Sequence, residues 1–376
     1  MEKELFALLR LGLGNTTTKE ENLSDFIMMP AAQWNRIGNL ARTQGVLGVV
    51  LDGIDWLENS GYGATRDLPV SQKLEWIGEV LTIEQANQHQ IAVMNEMAEK
   101  WSKQGCCVMV MKGQANGTFY PKPEHRNPGD IDCYLFDDYD KGNDIARKAD
   151  ANVDESWYKH SVINYRKETF ENHQYFVHTR DGNRGKRLND ELVEGLKAQE
   201  SSTSEATKPS AWFRDERAKL TEFTYMPPVQ WNAMFLTYHA CAHFVSEGLR
   251  LKQILDWSMF LKTHQDDIDW DAFYGFCERN HLRRFADAMT NIASKYLGVQ
   301  ITNPAIVKES PYAEKILNSA LYDEDYVFGS GKGEWYNRYH LVKNMFHYRW
   351  KYEEIYQTSV WKQLWWYATG FLFKTE

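Results

Sequence analysis

Two aspartates, Asp130 and Asp132, flank Ile131 in the apolar run DIDCYLF. Alternate side chains of a β-strand leave the same face, so a strand here would place the two carboxylates about 7 Å apart. That separation suits a pair of divalent cations of the kind used in phosphoryl and nucleotidyl transfer. Oxygen ligands favour magnesium or manganese. Exposed acidic pairs are also common at strand ends without any ion, so the neighbouring elements must decide between the two interpretations.

A second feature lies just upstream, where the β-rich run CCVMVM ends at Lys112 and Gly113 and the helix-compatible segment QANGTFY follows. A strand, a tight turn and a helix predict free backbone N–H groups at the start of the helix, which can bind phosphate. Lys112 adds a positive charge. Close approach of a phosphate would also account for a glycine at position 113, where a side chain would interfere.

The order of these elements is more specific than either motif alone. The segments MKGQANGTFYP and HRNPGDIDCYLF follow one another, with Arg126 and Gly129 just before the aspartates. This order resembles the DNA polymerase β-like nucleotidyltransferase superfamily, and within it a group of uncharacterised nucleotidyltransferases of bacteria. The resemblance is strongest over residues 106 to 180. It implies a small mixed sheet flanked by helices, with Lys112, Gly113, Arg126 and Gly129 at the nucleotide.

The same resemblance implies a third carboxylate on a later strand, and we assign it to Glu171 in the segment TFENH. Asp130, Asp132 and Glu171 would then bind magnesium or manganese and act in catalysis on an NTP. Glu168 is the competing acidic residue, and it would share the strand face of Glu171 if no bulge intervened. An alternative alignment places Phe176 at this position and leaves the site without its third ligand.

Other polar residues allow two interpretations each. His160 and His173 bracket the predicted hairpin of residues 161–165 and 168–173, where they would contact phosphate or substrate, or serve as structural hydrogen-bonding groups. His239 and His243 have a metal-compatible spacing on one helix face, but no third ligand follows them. Asp256 lies among apolar positions, which indicates a buried pair with Arg250 or an acceptor for the substrate.

Two surface segments are also ambiguous. The segment DGNRGKR, 181–187, is either a solvated loop or a contact for a triphosphate or an RNA acceptor. The aromatic C-terminus, with Trp361, Trp365, Trp366 and Phe371, has helical spacing, which favours packing in a core over contact with a membrane or a partner helix.

Composition limits the possible functions. The formal charge of -9 disfavours a protein that coats nucleic acid through a general basic field. The five cysteines form no CxxC pair, which disfavours a zinc site or a disulfide framework and favours reduced thiols in a cytoplasm. No apolar run reaches the length of a membrane span, so we expect a soluble, unprocessed protein. Neither the acceptor nor the oligomeric state can be derived from these features.

The patterning predicts a mostly helical α+β chain in four parts. These are an N-terminal helical region (1–105), a nucleotidyltransferase core (106–198), a mobile linker (199–210) and a C-terminal helical domain (211–376). In the first part, Leu74, Ile77 and Leu81 recur at helical steps, with Ser71 as the helix cap and Gly105 as its end.

Three hypotheses follow from these features. The first is metal-dependent transfer of an NMP group from an NTP to an unidentified acceptor. The second is a degenerate nucleotide binder of the same fold, and the third is a helical interaction protein in which the acidic pair is merely solvated.

Overall fold

The computed structural model describes residues 2–15, 24–60, 65, 67–179, 182–200, 218–323 and 334–372. In these ranges the chain is mostly helical and contains a five-stranded mixed sheet, so the predicted α+β class is confirmed. Most of the predicted linker, residues 201–210, lies outside the described residues, and 199 and 200 end a helix.

Helices form the N-terminal part of the chain before the first strand. Their bounds are α1 (Glu2–Gly12), α2 (Ser24–Ile27), α3 (Ala31–Thr43), α4 (Leu47–Asn59) and α5 (Val70–Lys103). The last of these, α5, ends where Gly105 adopts a φ of +83° and its N–H donates to the Ser102 carbonyl, while the Cys106 N–H donates to the Trp101 carbonyl. This paired closure is the Schellman motif, which favours glycine at the left-handed position.

The buried stripe of α5 differs from the predicted one. Leu74 and Leu81 are exposed, whereas Trp76 and Val80 are buried. The Trp76 indole lies so close to Gly38 of α3 that a Cβ there would meet it at 2.2 Å, so this helix contact selects the face. The predicted cap is also wrong, because α5 begins at Val70 and Pro69 is its N-cap.

The sheet follows α5, and its strands are ordered β1-β2-β5-β4-β3. Strands β2 and β5 are parallel, and the other neighbouring pairs are antiparallel. The elements of this region are β1 (Met109–Val110), α6 (Gln114–Gly117), β2 (Ile131–Tyr134), α7 (Tyr139–Lys148), β3 (Asn152–Asp154), β4 (His160–Tyr165) and β5 (Glu168–His173). The polar edge strand β3 was not predicted, since it has no alternating apolar pattern.

The predicted hairpin is formed by β4 and β5. Arg166 and Lys167 join them with positive φ angles of 48° and 72°. Positive φ at both turn positions matches the twist of the flanking strands. One face of the sheet packs on α5, where Trp101 contacts Phe170 edge-on with ring centroids 5.8 Å apart. The opposite face of β2 and β5 is thereby left for the candidate site.

The C-terminal part is helical, as predicted. Its elements are α8 (Asn183–Glu200), α9 (Val229–Ser246), α10 (Leu251–His264), α11 (Trp270–Arg279), α12 (Arg283–Lys295), α13 (Ala313–Tyr322), α14 (Glu334–His347) and α15 (Val360–Leu372). No helix within the described ranges is long and apolar enough to cross a membrane. None of the five cysteines is in a disulfide.

One hydrophobic core joins the two helical parts. It contains residues of α1 and α4 together with residues of α9, α10 and α12. Phe6 contacts Tyr296 with ring centroids 5.5 Å apart, and Arg10 donates to the Tyr296 carbonyl at 2.8 Å. The two helical parts therefore share buried apolar surface, while the four-part division of the chain stays a prediction.

The aromatic C-terminus packs less than predicted. Trp361 and Trp365 of α15 are mostly exposed, although Trp361 contacts Phe346 edge-on at 4.9 Å between ring centroids. The Phe371 side chain lies outside the described residues.

Candidate active site

The three predicted carboxylates lie together on the face of β2 and β5 that does not pack on α5. Asp132 is in β2 directly opposite Glu171 in β5, and Asp130 immediately precedes β2. Opposite residues of neighbouring strands share a face, and so do residues two apart in one strand. The register therefore brings Glu171 beside Asp132, while its role as the third carboxylate stays a prediction. Asp132 is 4% exposed, Glu171 is half-buried and Asp130 is exposed.

Neither alternative to Glu171 lies in this position. Glu168 is three residues from Glu171 and faces the other side of the sheet, where Gln90 donates to it at 3.2 Å. The expectation that Glu168 shares the face of Glu171 is wrong, since odd separations reverse the face of a strand. Phe176 follows β5 and is buried against Trp231, with ring centroids 4.9 Å apart. It fills the hydrophobic core.

Lys112 is held against the carboxylate of Asp132. Its Nζ lies 2.7 Å from Asp132 Oδ1 and 3.0 Å from His239 Nε2. Burial acts to raise the pKa of Asp132, but the ammonium of Lys112 and the imidazole of His173 together outweigh it, and the pKa lies well below its ordinary value. Burial, followed by the charge of Lys112, lowers the pKa of His239 well below its ordinary value, so His239 is a neutral acceptor.

The HxxxH pair does not form a metal site in the part of the chain that the structure describes. His239 and His243 belong to no group of three possible ligands. His243 Nδ1 lies 3.0 Å from Glu247 Oε2, and the two imidazoles pack edge to face. The interpretation in which this pair binds no metal is therefore favoured.

Gly113 is required by its backbone conformation. Its φ of 56° and ψ of −112° are outside the regions open to other residues, and a Cβ would meet the Asp130 carbonyl at 3.4 Å. The helix that follows, α6, has only four residues. So short a helix provides little dipole, which weakens the predicted phosphate cradle at its start. Gly129 lies beside Asp130, and its carbonyl accepts from Gln90 Nε2 at 2.6 Å.

Arg126 forms a buried pair with Asp256. Its Nε and Nη2 each donate to Asp256 at 2.8 Å, and Tyr120 donates to the same carboxylate at 2.8 Å. The predicted pairing of Asp256 with Arg250 is wrong. Burial acts to raise the pKa of Asp256, but Arg126 outweighs it and the pKa is lowered. Because two of its nitrogens already donate to Asp256, fewer N–H groups of Arg126 remain for binding a phosphate than the sequence suggested.

His160 and His173 face each other across β4 and β5 on the carboxylate side of the sheet. Both are buried. His173 Nε2 lies 3.1 Å from Asp132 Oδ1 and 3.4 Å from Glu171 Oε2, and His160 Nε2 lies 3.5 Å from Glu171 Oε1. Both imidazoles therefore lie beside the carboxylate of Glu171. The sequence had placed them at the two ends of the predicted hairpin.

A cavity of about 460 Å³ opens in front of the aspartates, between the loop preceding β2 and the helices α9 and α10. The sheet side of its wall includes Lys112, Gly113, Gly129, Asp130 and Asp132. The helical side includes His239, His243, Glu247, Arg250 and Lys252. A cleft of this size with converging charged groups is the usual form of a small-molecule site.

The sequence family is consistent with this geometry. The model of the family described as uncharacterised nucleotidyltransferase matches residues 30–298, which include every residue that lines the cavity. The chain belongs to this family. No curated protein and no solved structure matched the chain. Membership supports nucleotidyl transfer in general.

The helical wall of the cavity contributes a cation that the sequence motifs missed. Lys252 donates to the Pro128 carbonyl at 3.3 Å, and burial, followed by the charge of Arg126, lowers its pKa to about 8. One feature of the sequence could have identified Lys252 as a site residue. It lies in the first turn of a predicted helix, where a positive charge is unfavourable.

The basic residues after the hairpin do not line the cavity. Arg184 donates to the Tyr356 carbonyl at 3.2 Å and lies over the Tyr356 ring, and Arg187 donates to the Arg279 carbonyl at 2.6 Å. These contacts attach α8 to the C-terminal helices. Asp181, the first residue of that segment, lies outside the described residues.

Proposed function

We propose that this protein transfers a nucleoside monophosphate from an NTP to an acceptor, with the NTP bound in the cavity before β2. The observation that carries the proposal is the meeting of Asp130, Asp132 and Glu171 on one side of the parallel strands. Asp130 and Asp132 line the cavity, and Glu171 lies beside Asp132. Membership in the nucleotidyltransferase family supports the reaction class.

The donor set fits a divalent cation that prefers oxygen, such as magnesium or manganese. Asp130 is exposed as a residue, yet partial desolvation of its carboxylate raises its pKa, and the neighbouring carboxylates of Glu171 and Asp132 raise it further. This repulsion would be relieved by a cation held by Asp130, Asp132 and Glu171. When bound, such a cation neutralises charge on the triphosphate and on the leaving pyrophosphate.

The positive groups of the cavity would bind the phosphates. Lys112 and Lys252 approach it from its sheet side and its helical side. The backbone at Gly113 and Gly129 would allow close approach of the nucleotide, because neither residue has a side chain. Arg126 would act mainly by positioning the loop before β2, since its guanidinium is already paired with Asp256.

The reaction would form one P–O bond and break another. The acceptor oxygen attacks the α-phosphorus, the bond from that phosphorus to the bridging oxygen breaks, and pyrophosphate leaves with the bond electrons. Glu171 would help to remove the proton of the acceptor hydroxyl. The carboxylate of Asp132, kept ionised by Lys112, would not compete for that proton.

The proposal is tested with Asp130→Asn and Asp132→Asn, which remove one charge each and keep side-chain size. Both should abolish magnesium-dependent NTP binding in calorimetry, or turnover of labelled NTP followed by mass spectrometry, while circular dichroism stays unchanged. Asp137→Asn is the matched control, since Asp137 is exposed and lies outside the cavity. Unchanged NTP affinity and turnover in both site variants would refute the assignment.

A second function is favoured by the short contact of 2.7 Å between Lys112 and Asp132. An ammonium at this carboxylate competes with a metal ion, which favours a protein that binds nucleotide without turnover. In that case the wild-type protein would bind NTP equally well with and without magnesium, and labelled NTP would yield neither pyrophosphate nor a labelled product.

A further inference from the structure

A second group of possible metal ligands lies beside the aspartates, and it contains nitrogen. One ligand atom each from His160, Glu171 and His173 lie within 4.8 Å of one another. The two histidines are opposite residues of β4 and β5, and Glu171 is two positions before His173 on the same face. Strand register therefore fixes this group, with no contribution from a flexible loop.

The hydrogen bonds of His173 determine which of its nitrogens can bind an ion. Its Nδ1 lies 3.2 Å from the Tyr175 carbonyl, which can only accept, so Nδ1 carries the proton. In the neutral ring Nε2 then presents a lone pair toward Asp132 Oδ1 at 3.1 Å and Glu171 Oε2 at 3.4 Å. Lys112 already lies 2.7 Å from Asp132 Oδ1, so His173 Nε2 and the Glu171 carboxylate are the two acceptors that an added cation would join. A metal-bound histidine typically has this arrangement, with its other nitrogen donating to a carbonyl.

His160 supplies a second imidazole. It is 6% exposed, and its Nδ1 has no hydrogen-bond partner among the described residues. Its Nε2 lies 3.5 Å from Glu171 Oε1, so its ring is aimed at the same carboxylate. His160 therefore contributes its Nε2 through its position in the strand register, without the outer hydrogen bond that His173 has.

The spacing of the three residues fits one ion. Two ligands of a tetrahedral ion with bonds of about 2.0–2.1 Å lie about 3.4 Å apart. Glu171 Oε2 lies 3.4 Å from His173 Nε2, and Glu171 Oε1 lies 3.5 Å from His160 Nε2, so each imidazole is at this spacing from one oxygen of the carboxylate. One ligand atom from each of the three residues lies within 4.8 Å of the other two. Imidazole ligands favour zinc and neighbouring transition metals, whereas magnesium prefers oxygen.

We propose that His160, Glu171 and His173 bind one transition-metal ion of the zinc class through the two Nε2 atoms and the Glu171 carboxylate. This inference extends the proposed function, because Glu171 belongs to both sites. The nucleotide site would then contain a nitrogen-ligated ion next to Asp132, and magnesium alone would not occupy it.

The test uses metal alone, without nucleotide. Cobalt(II) is the probe, because its visible absorption reports nitrogen ligands and coordination geometry, and zinc is then added to displace it. We expect one ion per chain in the wild-type protein. His160→Gln and His173→Gln should each weaken binding by at least about 100-fold. His89→Gln is the control, since His89 lies on α5 and contacts Glu168 on the opposite face.

Several results would overturn the inference. These are no cobalt bound by the wild-type protein, equal displacement of cobalt by magnesium, or unchanged binding in both histidine variants. If a variant loses its circular dichroism, X-ray absorption of the zinc-loaded wild-type protein decides instead, because outer-shell scattering identifies imidazole ligands. Scattering from oxygen ligands alone would also overturn it. NTP binding with magnesium is measured separately. The proposed function can therefore fail while the metal site is confirmed, and the metal site can fail while the proposed function is confirmed.

Discussion

Lys252 is a cavity residue whose charge changes within an accessible pH range. Its pKa of about 8 results first from burial and then from the nearby guanidinium of Arg126. A lysine is charged below its pKa and neutral above it, so the cavity loses one positive charge as the pH rises through 8. A phosphate bound near Lys252 would favour the charged form.

We therefore expect the affinity for NTP to fall above pH 8, by up to about tenfold per pH unit. Calorimetry from pH 7 to pH 10 measures this decrease. In Lys252→Arg the decrease should disappear, because a guanidinium stays charged over the whole range. The same pH profile in both proteins would show that Lys252 does not contact the phosphates.

The loop before β2 and the helix α10 are joined by the buried pair of Arg126 and Asp256. The pair is bidentate and Tyr120 completes it, so both charges have partners. Removing one member of such a pair leaves a buried charge without compensation, which usually costs several kcal/mol. The element that places Asp130 thus depends on a helix far away in the sequence.

Asp256→Asn should lower the free energy of unfolding by about 3–5 kcal/mol, as measured by denaturant titration. Asp266→Asn, at an exposed position just after α10, should change it by less than about 0.5 kcal/mol. The pKa of Asp256 is lowered in the folded protein, so its contribution is present above the unfolded pKa and is lost as pH falls through the folded pKa. Equal stability of the two variants would contradict this account.

At the scale of the whole molecule, the shared core makes the two helical parts mutually dependent. Residues of α1 and α4 and residues of α9, α10 and α12 belong to one buried cluster. Gln44 strengthens this connection, because its side chain donates to the Ala320 carbonyl at 3.0 Å and accepts from the Leu251 N–H at 2.8 Å. We expect the helical parts to unfold together.

Hydrogen exchange followed by mass spectrometry at rising denaturant tests this expectation. Peptides from α4 and α12 should lose protection with the same free energy and the same denaturant dependence, as in a two-state transition. Peptides from α15 should exchange sooner and serve as the internal comparison, since Trp361 and Trp365 are exposed. Separate transitions for α4 and α12 would instead support independent helical domains.

The sequence by itself determined the features that depend on neighbouring residues. Alternation predicted the strand bearing Asp132, two strand-like runs predicted the hairpin of β4 and β5, and helical periodicity predicted the C-terminal helices. The placement of Glu171 also followed from the sequence, through a resemblance in residue order. These features depend on local backbone preferences and on the period of the chain, which a single sequence displays.

The tertiary structure decided which distant residues meet. Arg126 pairs with Asp256, Lys112 with His239, and Lys252 reaches the cavity, although each contact joins residues more than a hundred positions apart. The contact of Trp76 with Gly38 likewise determines which face of α5 is buried and which is exposed near its start. Such pairings depend on helix packing and strand register, where many side chains are buried together, so no local pattern in the sequence specifies them.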